Sequence, residues 1–379
     1  MSRWMALALT AVLLTLATGC SREEPAGAPV ADKSPAAGQA TRQTTAAAPN
    51  ETADSQRVST LARWKPSFDP SGAQFTYLLS CIGHPDIDGV TVGYNIRDEV
   101  WQRSNGRLYV DYRPLAQLGG EKDVLSKLRM GAVHGMLSSS VAAANLDDRL
   151  GVVNLPFLLD SSEKLEAFRA DAELFAAFGS SLKSKGILVT DFTSYGSYGW
   201  ASRVPVRTVE EARKVNFRIA EAPVNTELYK AWGMKFTVMP WPDVPQALQT
   251  GVIDGLDHTP IVCSTGHLFD NIKNFTFLNY AQGLYIHLIN LNWLNKLPED
   301  LRQILLEVIS EQSARSRQTT MIQEAREIDR AKAKGVQFWT LDEGERDKLE
   351  LMAEPIYQAW AARIDVDFLN AVRDKTNMK

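Results

Sequence analysis

Val215-Asn216-Phe217-Arg218-Ile219-Ala220 carries a permanently charged fork on an apolar run that reads as a buried strand, and a helix start follows at Ala222-Pro223-Val224-Asn225. A guanidinium held there wants a carboxylate. Further on, Lys235 to Met239 reads as a second strand and Pro242 to Thr250 as a short helix with Gly251 at its C′ position. Val252-Ile253-Asp254-Gly255 reads as a third strand, leading into Leu256-Asp257-His258-Thr259-Pro260. Strand, helix, strand, helix, strand makes one α/β layer, and that is the fold class expected of the chain.

Upstream, Phe75 to Ile82 is expected as a buried first strand, broken by Gly83-His84-Pro85. A helix from about Gly89 to Arg103, a strand from Arg107 to Arg113, a helix through Met130 with Gly131 behind it, and a strand from Ala132 to Ser138 complete a βαβαβ pattern. Such alternation predicts a mostly parallel sheet with helices on both faces. Ligands of such sheets sit at the carboxyl ends of the strands, where His84, Gln117 to Glu121, and Ser138 to Ser140 with Ser139 at the centre fall. A helix is expected from Ser162 to about Lys183. A strand from Gly186 to Thr193 then enters the cluster Tyr195-Gly196-Ser197-Tyr198-Gly199-Trp200, whose glycines let the chain move between layers. After a strand from Tyr280 to Asn292, Pro298-Glu299-Asp300 opens a helix to Ala333 that would reach about 54 Å, bent in the polar run Ser313 to Thr320 and placed to bridge two lobes. Val336 to Trp339 is expected as a last strand and Glu343 to Ala362 as terminal helix.

At 379 residues the chain can hold two domains, and 45% hydrophobic with 23% charged residues is ordinary for a soluble globular protein. A formal net charge of -4 without a basic run gives no footprint for nucleic acid. Arg3 and the apolar run Met5 to Ala17, too short to span a bilayer, read as a signal peptide over residues 1–19. Leu16-Ala17-Thr18-Gly19-Cys20 resembles a bacterial lipobox, with Ala17 where that pattern more often has Leu. The resemblance implies that Cys20 is lipidated and holds the protein on a membrane surface. Residues 20–70 then form a tether: from Ser21 to about Val58 the composition is Ala, Thr, Pro, Gly and Gln, and such a chain spans on the order of 35 Å root mean square.

The motifs of common hydrolases, NTPases, dehydrogenases and zinc proteases are absent. Asp254 and Asp257 read as helix-cap or turn acids before they read as an acid/base pair. Cys81 with His84, and His258 with Cys263 and His267, leave three readings open: a Cys81–Cys263 disulfide, free buried thiols, or a metal site of non-standard spacing. For Arg218 the structural alternative is a pairing with Glu221 or Glu227. Against it stand the helix start at Ala222, whose free N–H groups favour an anion, and the aromatics Tyr195, Tyr198, Trp200 and Trp241, which can wall a pocket.

Five segments in order carry a family resemblance: His84-Pro85, Gln117-Leu118-Gly119-Gly120-Glu121, Leu155-Pro156-Phe157-Leu158, Asn216-Phe217-Arg218-Ile219 and Ala247 to Gly255. The chain resembles, from Phe75 to its terminal helices, the extracytoplasmic substrate-binding proteins of TRAP transporters, of the C4-dicarboxylate-binding type. That resemblance implies a periplasmic-binding-protein-like fold of two lobes joined by crossover strands and a long helix, here 71–195 plus 284–320 and 196–283 plus 321–379. It implies a periplasmic binding protein, not an enzyme, that captures a small organic acid without a cofactor and delivers it to membrane permease subunits; with the lipobox, the expectation is a periplasmic, membrane-anchored lipoprotein. Arg218 falls on the arginine that binds the ligand carboxylate in that family. Tyr198 stands where sialic-acid-type members have a second arginine, and Asp257-His258 where Glu-Asn is usual. With Trp200 and Trp241 these departures tilt the expected ligand toward a monocarboxylate with an apolar or aromatic body, and a protonatable His258 would make affinity depend on pH. The expected ligand-facing set is Arg218, Tyr198, Trp200, His258, Trp241, Glu121, His84 and Ser139. A lipid-anchored sensor module and a metal-dependent enzyme remain as rivals.

Overall fold

The computed structural model describes residues 61–62 and 64–376, so the expected signal peptide, the lipidation site Cys20 and most of the tether lie outside the described residues. The packed body begins earlier than residue 71. Trp64 stacks on Tyr94 with ring centres 4.7 Å apart, and Phe68 on Trp101 at 4.6 Å. Two aromatics in an otherwise polar segment were enough to fasten it, which an average over composition hides.

Among the described residues nine strands form one sheet: β1 Phe75–Cys81, β2 Leu108–Arg113, β3 Gly135–Ser139, β4 Ile187–Ser202, β5 Asn216–Ile219, β6 Lys235–Val238, β7 Gly255–His258, β8 Asn274–Asn290 and β9 Gln337–Thr340. Their order is β2-β1-β3-β8-β4-β7-β5-β6, with β9 beside β8. β1 runs parallel to β2 and β3, and β5 parallel to β6 and β7. The sheet is nevertheless mixed, because β8 lies antiparallel to β3 and β4, and β4 antiparallel to β7. The expectation of a mostly parallel sheet holds within each half and fails where the halves join. Two parallel α/β units are fused through two long strands of 16 and 17 residues, and the chain has the two-lobed fold of periplasmic binding proteins. The glycine and aromatic cluster at Tyr195–Trp200 does not change layers; it lies within β4, whose pairing with β8 slips between Ser194 and Ser197 and again between Ser197 and Gly199. Gly196 sits there at a φ of 100°, open to glycine at no steric cost.

The helices used below are α1 Asp88–Arg103, α2 Glu121–Met130, α3 Ser162–Ala170, α4 Ala172–Phe178, α5 Pro223–Ala231, α6 Val244–Thr250, α7 Pro260–Thr265, α8 Glu299–Ala333, α9 Glu345–Ile364 and α10 Val366–Thr376. The single helix expected over 162–183 is broken because Asp171 leaves helical geometry and caps α4, accepting the Leu174 N–H at 3.0 Å. Gly251 ends α6 in the left-handed region as expected, but Val252 and Ile253 fold their N–H groups back onto the Ala247 carbonyl. The strand therefore starts at Gly255, three residues late, and draws Asp257 and His258 into the sheet.

α8 is one uninterrupted helix of 35 residues, about 52 Å long, without the expected bend. One face of its polar run, with Ser313, Ser316 and Thr320, is buried, and the run is fastened to the irregular part of β4. Arg317 donates to the Asp191 carboxylate at 2.7 Å and to the Phe192 carbonyl at 2.8 Å, the Thr320 hydroxyl donates to the Ser194 carbonyl at 3.3 Å, and Glu324 accepts the Ser197 N–H at 2.8 Å. One turn on, Glu327 accepts from the Ser264 hydroxyl on α7 at 2.7 Å. The run is polar because it faces backbone groups that a slipped ladder leaves unpaired. The terminal helices, expected in the second lobe, pack as follows: α9 lies against both α5 and the turn at 148–154, and α10 against α3 and α4. Arg363 ties these parts together, with both Asp148 oxygens and a Glu227 oxygen at 3.0 Å.

Candidate functional site

The carboxyl ends of β1, β3, β5 and β7 meet around a cavity of about 180 Å³ lined by His84, Glu121, Ser139, Tyr195, Tyr198, Arg218, Trp241, His258 and Tyr285. A wider hollow of about 630 Å³ shares Glu121, Arg218 and Trp241 with it and adds Lys122, Arg129, Asn145, Ala222 and Lys230. The amino end of α5 opens on this outer hollow. Across it, the Asn145 side chain donates to the Glu221 carbonyl at 3.0 Å.

Arg218 is the cation of the inner cavity. It is buried, at 5% exposure, and donates from Nε and Nη2 to the Met239 carbonyl at 3.0 and 2.8 Å. Neither alternative partner is used: Glu227 accepts from Trp360 Nε1 at 2.6 Å and pairs with Arg363, and no acid among the described residues lies within ion-pair distance of Arg218. Burial pulls the guanidinium below its usual pKa, while Tyr198, Glu121 and Asp257 pull the other way. A desolvated cation held by one neutral carbonyl has its strongest bond still to make.

Glu121 starts α2 and is pinned across to β3: its Oε1 accepts the Ser139 N–H at 2.7 Å and its Oε2 the Ser139 hydroxyl at 2.8 Å. Burial raises its carboxyl, and the Ser139 bonds and the Arg218 charge oppose that rise. His84 turns Nδ1 to accept the Asp86 N–H at 3.2 Å. His258 accepts the Thr259 N–H on Nδ1 at 3.0 Å, which leaves Nε2 as the protonated nitrogen of the neutral ring. Its ring stacks near Tyr198 at 5.7 Å and meets Trp241 edge-on at 4.8 Å. Burial, and then the charge of Arg218, hold this imidazole well below the usual histidine range, so it is neutral rather than the pH-sensitive group expected. The Tyr195 and Tyr198 hydroxyls share a hydrogen bond of 2.9 Å.

Seven of the eight expected residues thus share one cavity, and Trp200 does not. Trp200 is 0% exposed, packs against Phe217 and Trp232, and donates its indole N–H to the Tyr229 hydroxyl at 3.0 Å. It is a core residue, separated from Tyr198 by the slipped register of β4. Cys81 and Cys263 are both free and buried, so of the three readings left open the structure has the free thiols and not the bridge, and burial pushes the Cys81 thiol up to about 12. Among the described residues no group of three or more His, Cys, Asp or Glu side chains is placed to hold a metal ion. Tyr285 was missed, although it follows from the alternation of β8 opposite Ser139. Asp257, which read as a turn acid, is instead a sheet residue at 3% exposure: the Tyr280 hydroxyl donates to its Oδ2 at 2.6 Å, and burial raises its carboxyl to about 7.

Residues 90–363 match the family model for bacterial extracellular solute-binding protein, family 7, DctP. The chain is 27% identical over 277 residues to the C4-dicarboxylate-binding periplasmic protein DctP of Rhodobacter capsulatus, covering 72% of this chain and 82% of that protein. It is 25% identical over 247 residues to the 2,3-diketo-L-gulonate-binding periplasmic protein YiaO of Escherichia coli K12, covering 64% and 74%. Among solved structures, a TRAP periplasmic solute-binding protein of Shewanella oneidensis with bound succinate superposes with a TM-score of 0.76 at 20% identity, over 80% of this chain and all of that one. The sugar-acid-binding protein DctPAm of Advenella mimigardefordensis with galactonate gives 0.75 at 19% identity, over 80% and 98%. Among the described residues no helix is long and apolar enough to cross a membrane. With its family matched over most of its length, the chain belongs to the DctP family of bacterial extracellular solute-binding proteins: it is a TRAP-type extracytoplasmic binding protein, not an enzyme.

Proposed function

We propose that the inner cavity holds a small organic acid with its carboxylate on Arg218, that the lobes close over it, and that the closed protein hands it to a TRAP membrane permease. One observation carries this reading: a buried guanidinium whose only hydrogen-bond acceptor among the described residues is the Met239 carbonyl. An anion bound there recovers a charge-assisted bond that water no longer supplies, which stabilises the closed state over the open one. Relatives named for C4-dicarboxylate and diketogulonate, and related structures holding succinate, orotate and galactonate, support an acid as the ligand.

Tyr198, His258, Trp241, Glu121, His84 and Ser139 surround the rest of the ligand in this reading. A single cation and walls of Tyr195, Tyr198, Tyr285 and Trp241 favour a monocarboxylate with an apolar or aromatic body; Trp200 lends this no support. The lobes divide near Tyr195–Ser197 on β4 and Gly283–Leu284 on β8, and Cys20 carries a lipid that anchors the protein on the extracytoplasmic side of a membrane. Mass spectrometry of compounds released from the purified protein, followed by calorimetric titration of each, tests the assignment. Release of a carboxylic acid that rebinds is expected. A protein that releases none and binds none across a panel of organic acids has another function.

A further inference from the structure

Among the described residues nothing bonds the hydroxyl that Tyr285 brings to the inner cavity, although the residue is only 4% exposed. Room is kept for that hydroxyl by Gly83, where a Cβ would stand 2.5 Å from its oxygen. Tyr285 pairs with Ser139 in the half of the sheet that holds β1 to β3, whereas Arg218 stands three strands away on β5. Aromatic contacts link the two: Arg218 lies over Trp241, Trp241 meets His258, His258 lies near Tyr195, and the Tyr195 and Tyr285 rings are 4.6 Å apart. At the far end Arg218 Nη1 also has no acceptor among the described residues. A hydroxyl held in a nearly dry wall without a partner is costly until a bound molecule supplies one.

We infer that Tyr285 is the second point of ligand attachment, its hydroxyl bonded by a neutral oxygen, alcohol or ketone, on the body of an acid whose carboxylate sits on Arg218. The inference rests on the reading of Arg218 as carboxylate anchor, and narrows the ligand to an oxygenated monocarboxylate. A phenol both donates and accepts, so it serves an alcohol or a ketone equally. A second carboxylate is disfavoured there, because Glu121, fastened to the Ser139 N–H and hydroxyl, already sets one buried acid beside the site. An ammonium brings three donors and finds both oxygens of that acid taken. An acid without the extra oxygen leaves the Tyr285 hydroxyl unpaired in a complex that excludes more water, and is selected against on that ground. Since the two attachment points stand on different halves of the sheet, a ligand that uses both favours the closed state over the open one.

Thermal scans of Tyr285→Phe test the free hydroxyl without a ligand. The midpoint is expected to equal or exceed that of wild type, and a fall of more than about 3 °C, the mark of a lost internal hydrogen bond, overturns the proposal. In a second arm valerate, levulinate, glutarate and δ-aminovalerate, matched in carbon number, and phenylacetate with para-hydroxyphenylacetate, are titrated by calorimetry into wild type, Tyr285→Phe and Arg218→Met. Levulinate and para-hydroxyphenylacetate are expected to bind wild type about tenfold more tightly than valerate and phenylacetate, and to lose that advantage in Tyr285→Phe while the two plain acids bind as before. An advantage that survives in Tyr285→Phe, an equal loss for plain and oxygenated acids, or a preference for glutarate or δ-aminovalerate overturns the proposal and leaves the anchor standing. Binding that Arg218→Met does not weaken, or a wild type that takes up none of the six acids, overturns the anchor itself and the proposal with it.

Discussion

Arg218 and Trp241 meet with the guanidinium carbon 5.6 Å from the centre of an indole ring, one wall of the cation's chamber being the electron-rich face of an aromatic. With Met239 holding Nε and Nη2, the group is fixed in orientation before any ligand arrives, so little side-chain entropy is lost on binding.

Arg218→Met is expected to weaken acid binding by at least a hundredfold, the scale of about 2–5 kcal/mol for losing one partner of a buried charged pair. Thermal stability should not fall, since a desolvated charge leaves with the side chain. Arg218→Lys should not restore affinity, because a point charge cannot hold the Met239 carbonyl and offer a planar fork together. Calorimetry and thermal scans of the two variants check this.

Trp200 and Trp241 should separate cleanly. Trp200→Ala is expected to cost about 3–5 kcal/mol of unfolding free energy while affinity per folded molecule stays as it was. Trp241→Ala, at a half-buried position, should cost about 1 kcal/mol of stability and weaken acid binding about tenfold. Urea unfolding monitored by circular dichroism, alongside ligand titration, distinguishes the two.

His258→Gln should leave the pH profile of binding between pH 5.5 and 8 unchanged, because the imidazole is already neutral throughout. Glu324 is a different case. Burial raises its carboxyl from 4.5 to about 7, with the Ser197 N–H opposing. Between those values the unfolded chain ionises this group and the folded chain does not, so its contribution is full below pH 4.5 and is lost as pH rises to 7. Glu324→Gln is therefore expected to match wild type near pH 4.5 and to be more stable by about 1–3 kcal/mol at pH 8, as unfolding titrations at the two pH values will show.

The thiols of Cys81 and Cys263 should resist alkylation at pH 8 in the folded protein and react together on unfolding. Burial pushes both upward, Cys81 to about 12, and a thiol attacks only as thiolate. Peptide mass spectrometry after iodoacetamide, with and without denaturant, reads the outcome. Alkylation of either thiol in the native protein would contradict its burial.

Much of this was legible from residue pattern. An arginine in an apolar strand, acids and serines at the carboxyl ends of strands, and glycines at helix ends each announce a local requirement that a neighbour in sequence reveals. Tyr198 and Trp200 show the limit: two apart on one strand, they share parity, and only the slipped pairing with β8 puts one in the cleft and the other in the core. Asp257 was hidden for a similar reason, since its burial depends on the strand beginning at Gly255 and not at Val252. The polar run of α8 looked like an interruption because its partners, the unpaired backbone groups of β4, have no signature in α8 itself. The fate of the two cysteines turned on where a strand and a distant helix come to rest, which spacing does not encode.

Three stretches of chain, β4, β8 and α8, pass between the halves of the molecule at one waist, and α8 is fastened to β4 at Phe192, Ser194 and Ser197 before it reaches Ser264. Side-by-side crossings of this kind resist sliding and twisting, so the lobe closure proposed above is expected to be a rotation about this waist. Cleft opening can therefore be followed with one distance. A pair of labels on exposed Met130 and Val238, one on each side of the cleft, would report ligand occupancy as a ruler with one graduation.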